Sequence, residues 1–551
     1  MMGGILLGIL ASVIQLGIMV GIVVLVVKLV SGRDKTSTDS VGVLIRRFFV
    51  YLIMLSMLVL VAIGVAGLID AALPASGEIT EGSAAAARSI AFVIVGLPVY
   101  LGLALYTSRR IKADPNEQRS AGWAFYLTVA LIGSLVTTMA LAGSILSELS
   151  TGDGPERAIV IHAAIWAAVW VAHWWVAQRF EPRRNARIHL LLGSAAGLMW
   201  TFAGAIATAT ALLSTIYDSL LLESITKSGV DDLLRPAMIL LVGFPVWWWY
   251  WLRHARTSQR TSLWLVYTLL LGVLGGVIAA ISGAGIMLFS VLQWFLGDAS
   301  GSAASHFDLL PGAIASLFIG GAAWAYHAHI LGQREERTRG EVDRVYDYLL
   351  SGAGLAVAAA GVTTLIATAL TGMSGRGATA TESGDAVAIA LTLLVIGVPL
   401  WWRYWSTIQR YRHAEATEEL QSITRRIYIV GLFGVAAVVA VVSLIVIVFV
   451  LVEDILDGTF GASTADDSAI ALALLVTAGG LAWYHFAVFR EDRTDFEPKI
   501  NETPVAPELP AVRTVERGSL ERTLEALAES GQVRAMVRWR EGGYVVEPLD
   551  E

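Results

Sequence analysis

The sequence predicts an all-α integral membrane protein of about thirteen transmembrane helices, built from six parallel two-helix repeats grouped as three four-helix modules, with a small α+β tail domain after them. Three observations carry this. Of 551 residues, 56% are hydrophobic and 15% charged, where a soluble domain carries about a quarter charged. Apolar runs of about 20 residues, long enough to cross a bilayer, recur along almost the whole chain. Charges fall between these runs, and arginine and lysine gather in every second loop.

The expected spans are 4–30, 46–71, 86–107, 121–148, 157–178, 188–215, 235–254, 262–295, 308–330, 345–370, 385–406, 427–452 and 468–489. The first of these lacks a basic start and is longer than a signal-peptide core, so it reads as a retained helix. Loops after odd-numbered spans carry Arg33, Arg46, Arg47, Arg109, Arg110, Arg183, Arg184, Arg253, Arg256, Arg334, Arg344, Arg410, Arg412, Arg425 and Arg490. The opposite loops are acidic, with Glu78, Asp153, Asp231, Asp298 and Asp466 among them. Basic loops stay on the cytoplasmic side, which places the N-terminus outside and the C-terminus in the cytoplasm.

This gives an N-terminal helix and loop over 1–43 and modules over 44–187, 188–344 and 345–493. A Pro-rich linker over 494–511 leads to the tail domain, 512–551. Five of the six two-helix repeats open with a tyrosine: Tyr51, Tyr126, Tyr267, Tyr348 and Tyr428. The third departs with His189 and Leu191. The second helix of each repeat takes one of two alternating forms. One holds Gly96-Leu97-Pro98, Gly243-Phe244-Pro245 or Gly397-Val398-Pro399, each followed by an aromatic two residues after the proline. The other holds Trp170 and His173, Trp324 and His327, or Trp483 and His485.

The Gly-x-Pro-x-aromatic helix ending in a basic loop, as from Gly397 to Arg410, resembles an uncharacterised family of bacterial multi-pass membrane proteins, the domain of unknown function DUF5671. The resemblance implies a bacterial plasma (inner) membrane and repeated helical hairpins, and it brings no catalytic or binding residues with it.

Two recurring features are candidates for chemistry. His173, His327 and His485 sit at one depth, and imidazoles converging from three modules could hold a metal or haem. No carboxylate accompanies them at fixed spacing, so they read first as residues of an interfacial belt shared with the tryptophans. Pro98, Pro245 and Pro399 each remove a helical hydrogen bond near mid-membrane. The resulting kinks could line a path, though they read first as packing features. Small residues at four-residue spacing, Gly272, Gly276, Ala280 and Ala284, and Gly193 with Gly197, mark close helix contacts.

Absences narrow the function. There is no cysteine, which excludes thiolate metal sites and cysteine nucleophiles. No ionisable residue lies at the centre of a span, where ion-coupled carriers keep them. No phosphate-binding loop, metalloprotease helix or nucleophile elbow is present. In the tail, Ser519 is placed to cap a helix ended by Gly531, and strands are expected at 512–516, 533–539 and 544–547. The sequence favours a non-enzymatic membrane protein with a structural or partner-assembly role. A small-solute or lipid transporter or channel is the alternative, and a membrane haem or redox protein the second. The expected partners are the lipid bilayer and a membrane protein, with no nucleic acid, no metal and no cofactor.

Overall fold

Apolar runs become long helices because a backbone shielded from water must satisfy its own hydrogen bonds. The computed structural model describes residues 41–73, 82–152, 154–180, 186–221, 230–297, 301–332, 340–373, 380–414 and 416–501, with strand residues 515–516, 535–540 and 543–548. The expected span 4–30 and the expected tail helix from Ser519 lie outside the described residues.

Twelve helices among the described residues are long and apolar enough to cross a membrane. They are α1 (Val41–Ala72), α2 (Gly82–Ala113), α3 (Ala121–Thr151), α4 (Arg157–Phe180), α5 (Ala186–Leu221) and α6 (Val230–Trp247, continued by a π-helical stretch, Trp248–Ala255). There follow α7 (Ser262–Leu296, π-helical over Tyr267–Leu274), α8 (Leu310–Gly332), α9 (Glu341–Met373), α10 (Ala380–Ala414), α11 (Ile423–Asp457) and α12 (Ala462–Asn501). Helix α12 continues through the first residues expected to belong to the linker, because leaving an apolar environment does not by itself end a helix. We refer to α1–α4, α5–α8 and α9–α12 as modules one, two and three.

Contacts divide the chain into two compact units, one of Met1–Val342 with Ala378–Val398, the other of Asp343–Gly377 with Pro399–Glu551. In the first unit, α5 meets α6 where a Cβ on Gly197 would strike the Trp247 backbone and one on Gly243 would strike that of Thr201. Helices α7 and α8 touch in the same way at Gly276 and Gly320. Small residues allow the backbones this approach, as the glycine spacing predicts. In the second unit α11 packs chiefly on α12, while most of its apolar residues, from Ile423 to Leu456, stay exposed. The described tail residues form an antiparallel sheet in the order β1 (Val515–Glu516), β3 (Gly543–Pro548), β2 (Ala535–Arg540), with Trp539 opposite Tyr544.

Candidate functional site: an aromatic and histidine cluster in each module

The third helix of each module starts on a hydroxyl cap. Ser120, Thr261 and Ser422 accept hydrogen bonds from the backbone N–H of Trp123, Trp264 and Arg425, at 3.2, 3.3 and 3.4 Å. Such caps hold one of the four unpaired N–H groups at a helix start. Three residues further along come Tyr126, Tyr267 and Tyr428. Steps of three stay on one helix face, and the tyrosine of each pair lies against the histidine of the fourth helix, with ring centroids 5.7, 5.9 and 6.1 Å apart in modules one, two and three.

Each histidine binds its own helix. Nδ1 of His173, His327 and His485 lies 2.8, 2.8 and 2.9 Å from the carbonyl oxygens of Val169, Ala323 and Leu481. A carbonyl only accepts, so Nδ1 carries the proton and a neutral ring presents Nε2 as an acceptor. In module one that acceptor meets the Tyr126 hydroxyl at 2.8 Å, and the Tyr100 hydroxyl stands 3.2 Å from Tyr126. The hydroxyls thus form a relay, Tyr100 to Tyr126 to His173. In modules two and three Nε2 of His327 and His485 has no partner among the described residues. Their rings are covered by tryptophans instead: Trp251 lies 5.9 Å from His327 and Trp405 6.0 Å from His485, between ring centroids.

Below these clusters, toward the arginine-rich loops, charges pair. Glu117 accepts from Arg47 Nε at 3.1 Å, Arg46 Nη2 at 3.3 Å and the Tyr51 hydroxyl at 3.0 Å. Module three repeats the triad: Glu419 accepts from Arg344 Nε at 3.0 Å and from the Tyr348 hydroxyl at 2.9 Å. Arg425 then extends it. Its Nη1 reaches the Tyr348 hydroxyl at 3.0 Å, while Nε and Nη2 grip Asp492 at 2.7 and 2.8 Å. Arg412 adds a bond to the same carboxylate at 3.0 Å. Fork-like pairing of this kind fixes geometry as well as charge.

A family profile described as a domain of unknown function, DUF5671, matches the chain three times, over residues 47–154, 187–309 and 344–480. Together these cover about two thirds of the chain. The chain belongs to the DUF5671 family. No curated protein and no solved structure matches it. The three DUF5671 matches begin on Arg47, Arg187 and Arg344, and four residues after each stand Tyr51, Leu191 and Tyr348. Three residues before the caps stand Glu117, Ser258 and Glu419. The module that lacks the tyrosine also lacks the carboxylate, so the triad is kept or lost as a set.

Against this DUF5671 frame the candidate residues fall as follows. His173, His327 and His485 are each buried among aromatic side chains of their own module. The belt reading is therefore corrected for them and for Trp251 and Trp405, which are also buried; Trp175, Trp402 and Trp483 keep exposed belt positions. Among the described residues no group of three or more His, Cys, Asp or Glu could hold a metal. Pro98, Pro245 and Pro399 are exposed, whereas the glycine two residues before each is buried. Glu117, Glu419 and Asp492 escaped the sequence reading because each stands among the arginines that mark the basic ends of the spans. The recurrence Glu-x-x-Ser-x-x-(Trp or Arg)-x-x-Tyr, at Glu117–Tyr126 and Glu419–Tyr428, is the signal that would have found the two glutamates.

Proposed function

We propose that this DUF5671 protein is a non-enzymatic multi-pass membrane protein whose role is structural, holding or assembling a membrane-protein partner in a bacterial plasma membrane. The orientation of the Gly-x-Pro helices supports this reading most directly. Gly96 faces α1 and Gly243 faces α5, Gly397 is buried, and the residues whose carbonyls each proline leaves unpaired, Ile94, Leu241 and Val395, are 67%, 58% and 57% exposed. Kinks that gate a path would turn these carbonyls inward, where they could line a cavity. Outward-turned kinks instead shape a lipid-facing or partner-facing surface.

The finer architecture belongs to the same proposal: thirteen spans, six parallel two-helix repeats, the N-terminus outside, the C-terminus in the cytoplasm and a tail domain combining helix and sheet. Buried charge fits a scaffold too. The triads around Glu117 and Glu419 tie helix ends to connecting segments and stiffen the arginine-rich end of modules one and three. Cross-linking in intact cells, then purification of the full chain in mild detergent, tests the role. The expected result is a membrane protein recovered in fixed stoichiometry, with no solute flux above background in proteoliposomes of the purified chain. A saturable flux of any solute, with no partner recovered, overturns the scaffold in favour of a transporter.

A further inference from the structure

Four residues after the module prolines stand Gly102, Trp249 and Arg403, and two residues after the module histidines stand Trp175, His329 and Ala487. Module three therefore departs from the other two twice: it adds an arginine on α10 and reduces a large side chain on α12 to a methyl group. A groove of about 500 Å³ opens between these helices, with Trp402, Trp405, Gln409 and Arg410 of α10 and Tyr484 and Ala487 of α12 among its walls. The Trp405 indole N–H donates to the Tyr484 hydroxyl at 2.7 Å, which ties the two walls together. Trp402, 62% exposed, stands at the open side.

Along one edge of the groove two guanidiniums meet on one hydroxyl. Arg403 Nη1 and Arg410 Nη2 donate to Thr407 Oγ1 at 2.7 and 3.0 Å, while that hydroxyl donates to the Arg403 carbonyl at 2.9 Å. Like charges held this close repel, and neither arginine has a carboxylate partner among the described residues. The acidic groups nearby are already taken: Glu491 pairs with Arg412, and Asp492 with Arg412 and Arg425. The charge left unbalanced at the groove is positive. We infer that it binds the headgroup of one anionic phospholipid from the surrounding leaflet, with the phosphate at Arg403 and Arg410 and the glycerol and upper acyl chains against Trp402 and Ala487.

Place, charge and shape select this occupant. Arg403 and Arg410 are seven residues apart, about 10 Å along α10 at 1.5 Å per residue. Arg403 thus starts inside the apolar span and reaches back toward its boundary, as long basic side chains do. Both charged ends gather at headgroup level, where exposed tryptophans also belong. A soluble anion has no use for the Trp402 indole or the Ala487 methyl, whereas a lipid has acyl chains to lay on them. A zwitterionic lipid brings its own cation to a groove that is already positive. Basic pockets between spans are where anionic headgroups bind. The volume lies within the range of small-molecule sites, roughly 300–1,000 Å³, and takes a headgroup and its glycerol while the tails stay in the bilayer. The inference rests on α10 and α12 being membrane spans and not on the scaffold role: recovery of a partner and retention of a lipid are separate measurements, and either can fail alone.

The test uses the full chain in mild detergent with phosphatidylglycerol as probe and phosphatidylethanolamine of the same acyl chains as comparator. Binding is read by native mass spectrometry and by thermal unfolding. Wild type is expected to retain one phosphatidylglycerol and to rise in Tm with it. Phosphatidylethanolamine should bind at least about fivefold more weakly, the preference one basic residue supplies toward anionic lipid. Arg403→Gln with Arg410→Gln should remove that preference with the lipid-free Tm held or raised, because both side chains are exposed and pair with no carboxylate among the described residues. Arg253→Gln with Arg256→Gln takes the same charge from the corresponding end of module two and should leave the preference intact. Ala487→Trp should abolish retention with both arginines in place; if it does not fold, Ala487→Leu fills less space and carries the same expectation. Wild type that retains the two lipids equally, or equal losses in the two arginine pairs, overturns the site in favour of general surface attraction. A folded filled variant that retains phosphatidylglycerol as wild type does overturns the groove as its seat. Inorganic phosphate that raises Tm as much as phosphatidylglycerol overturns the lipid as occupant.

Discussion

The Tyr126 hydroxyl lies 2.8 Å from Nε2 of His173, and with Nδ1 tied to the Val169 carbonyl this leaves the imidazole no unsatisfied nitrogen. Removing the hydroxyl strands a buried acceptor. Tyr126→Phe should therefore destabilise the protein by about 1–3 kcal/mol, read as a drop in thermal midpoint in detergent. His327 already has an unpartnered Nε2, so His327→Leu should cost less than His173→Leu. Equal losses at the two histidines would show that the relay adds nothing.

Glu117 is a buried carboxylate held by Arg47 and Tyr51, and these three groups act together. Glu117→Ser removes the carboxylate that Arg47 Nε and the Tyr51 hydroxyl share, and breaking a buried ion pair costs roughly 3–5 kcal/mol. Module two carries Ser258 and Leu191 at the corresponding positions, so a second change, Tyr51→Leu, should add little once the carboxylate is gone. A double-mutant cycle on the two sites should give a coupling of about 0.5–3 kcal/mol. Strict additivity would mean that the hydroxyl and the carboxylate do not act on each other.

Much of this fold can be read from sequence because membrane spans announce themselves by composition. The span expected at 157–178 is the helix Arg157–Phe180. The histidines could be found by their recurrence, but recurrence gives depth along a helix and not the face it turns. Trp175 and Trp251 are alike as residues; one is exposed and the other fully buried, and only packing separates them. The charged triads were hidden by their surroundings, since Glu117 lies between Arg110 and Arg119 in a loop whose net charge is basic.

Topology follows from the arginine-rich loops and can be checked directly. Reporter fusions after Ala113, Ala255 and Ala414 should be active in the cytoplasm, and fusions near Ser76, Gly229 and Ala465 should behave as external. An external signal at any of the first three positions would break the alternation on which thirteen spans rest.

The histidines also make a spectroscopic prediction. Nε2 of His173 is occupied by Tyr126, and the rings of His327 and His485 are covered by Trp251 and Trp405. An iron would have to displace these neighbours to be ligated. Purified protein should show no Soret band, with or without added haemin. A band lost on replacing the three histidines would make the protein a haem carrier.

The Gly-x-Pro helices separate shape from path. Gly243 faces α5 so closely that a Cβ would strike the Thr201 backbone, while Pro245 two residues on is exposed. Gly243→Leu should accordingly be strongly destabilising, because a large side chain forced against backbone cannot be absorbed by rotamer change. Pro245→Ala should be mild: it supplies a donor to the carbonyl of Leu241, and both residues are exposed. At Gly96 a Cβ would meet the Val61 side chain at 3.1 Å rather than backbone, so Gly96→Leu should cost less than Gly243→Leu, and the three proline changes should add, since well-separated sites do so. If the kinks instead gated a path, the proline variants would fold normally and lose a wild-type flux in proteoliposomes, and combining them would cost little more than one alone. The expected outcome is a folded triple proline variant that still recovers the partner, beside a Gly243→Leu variant that fails to assemble.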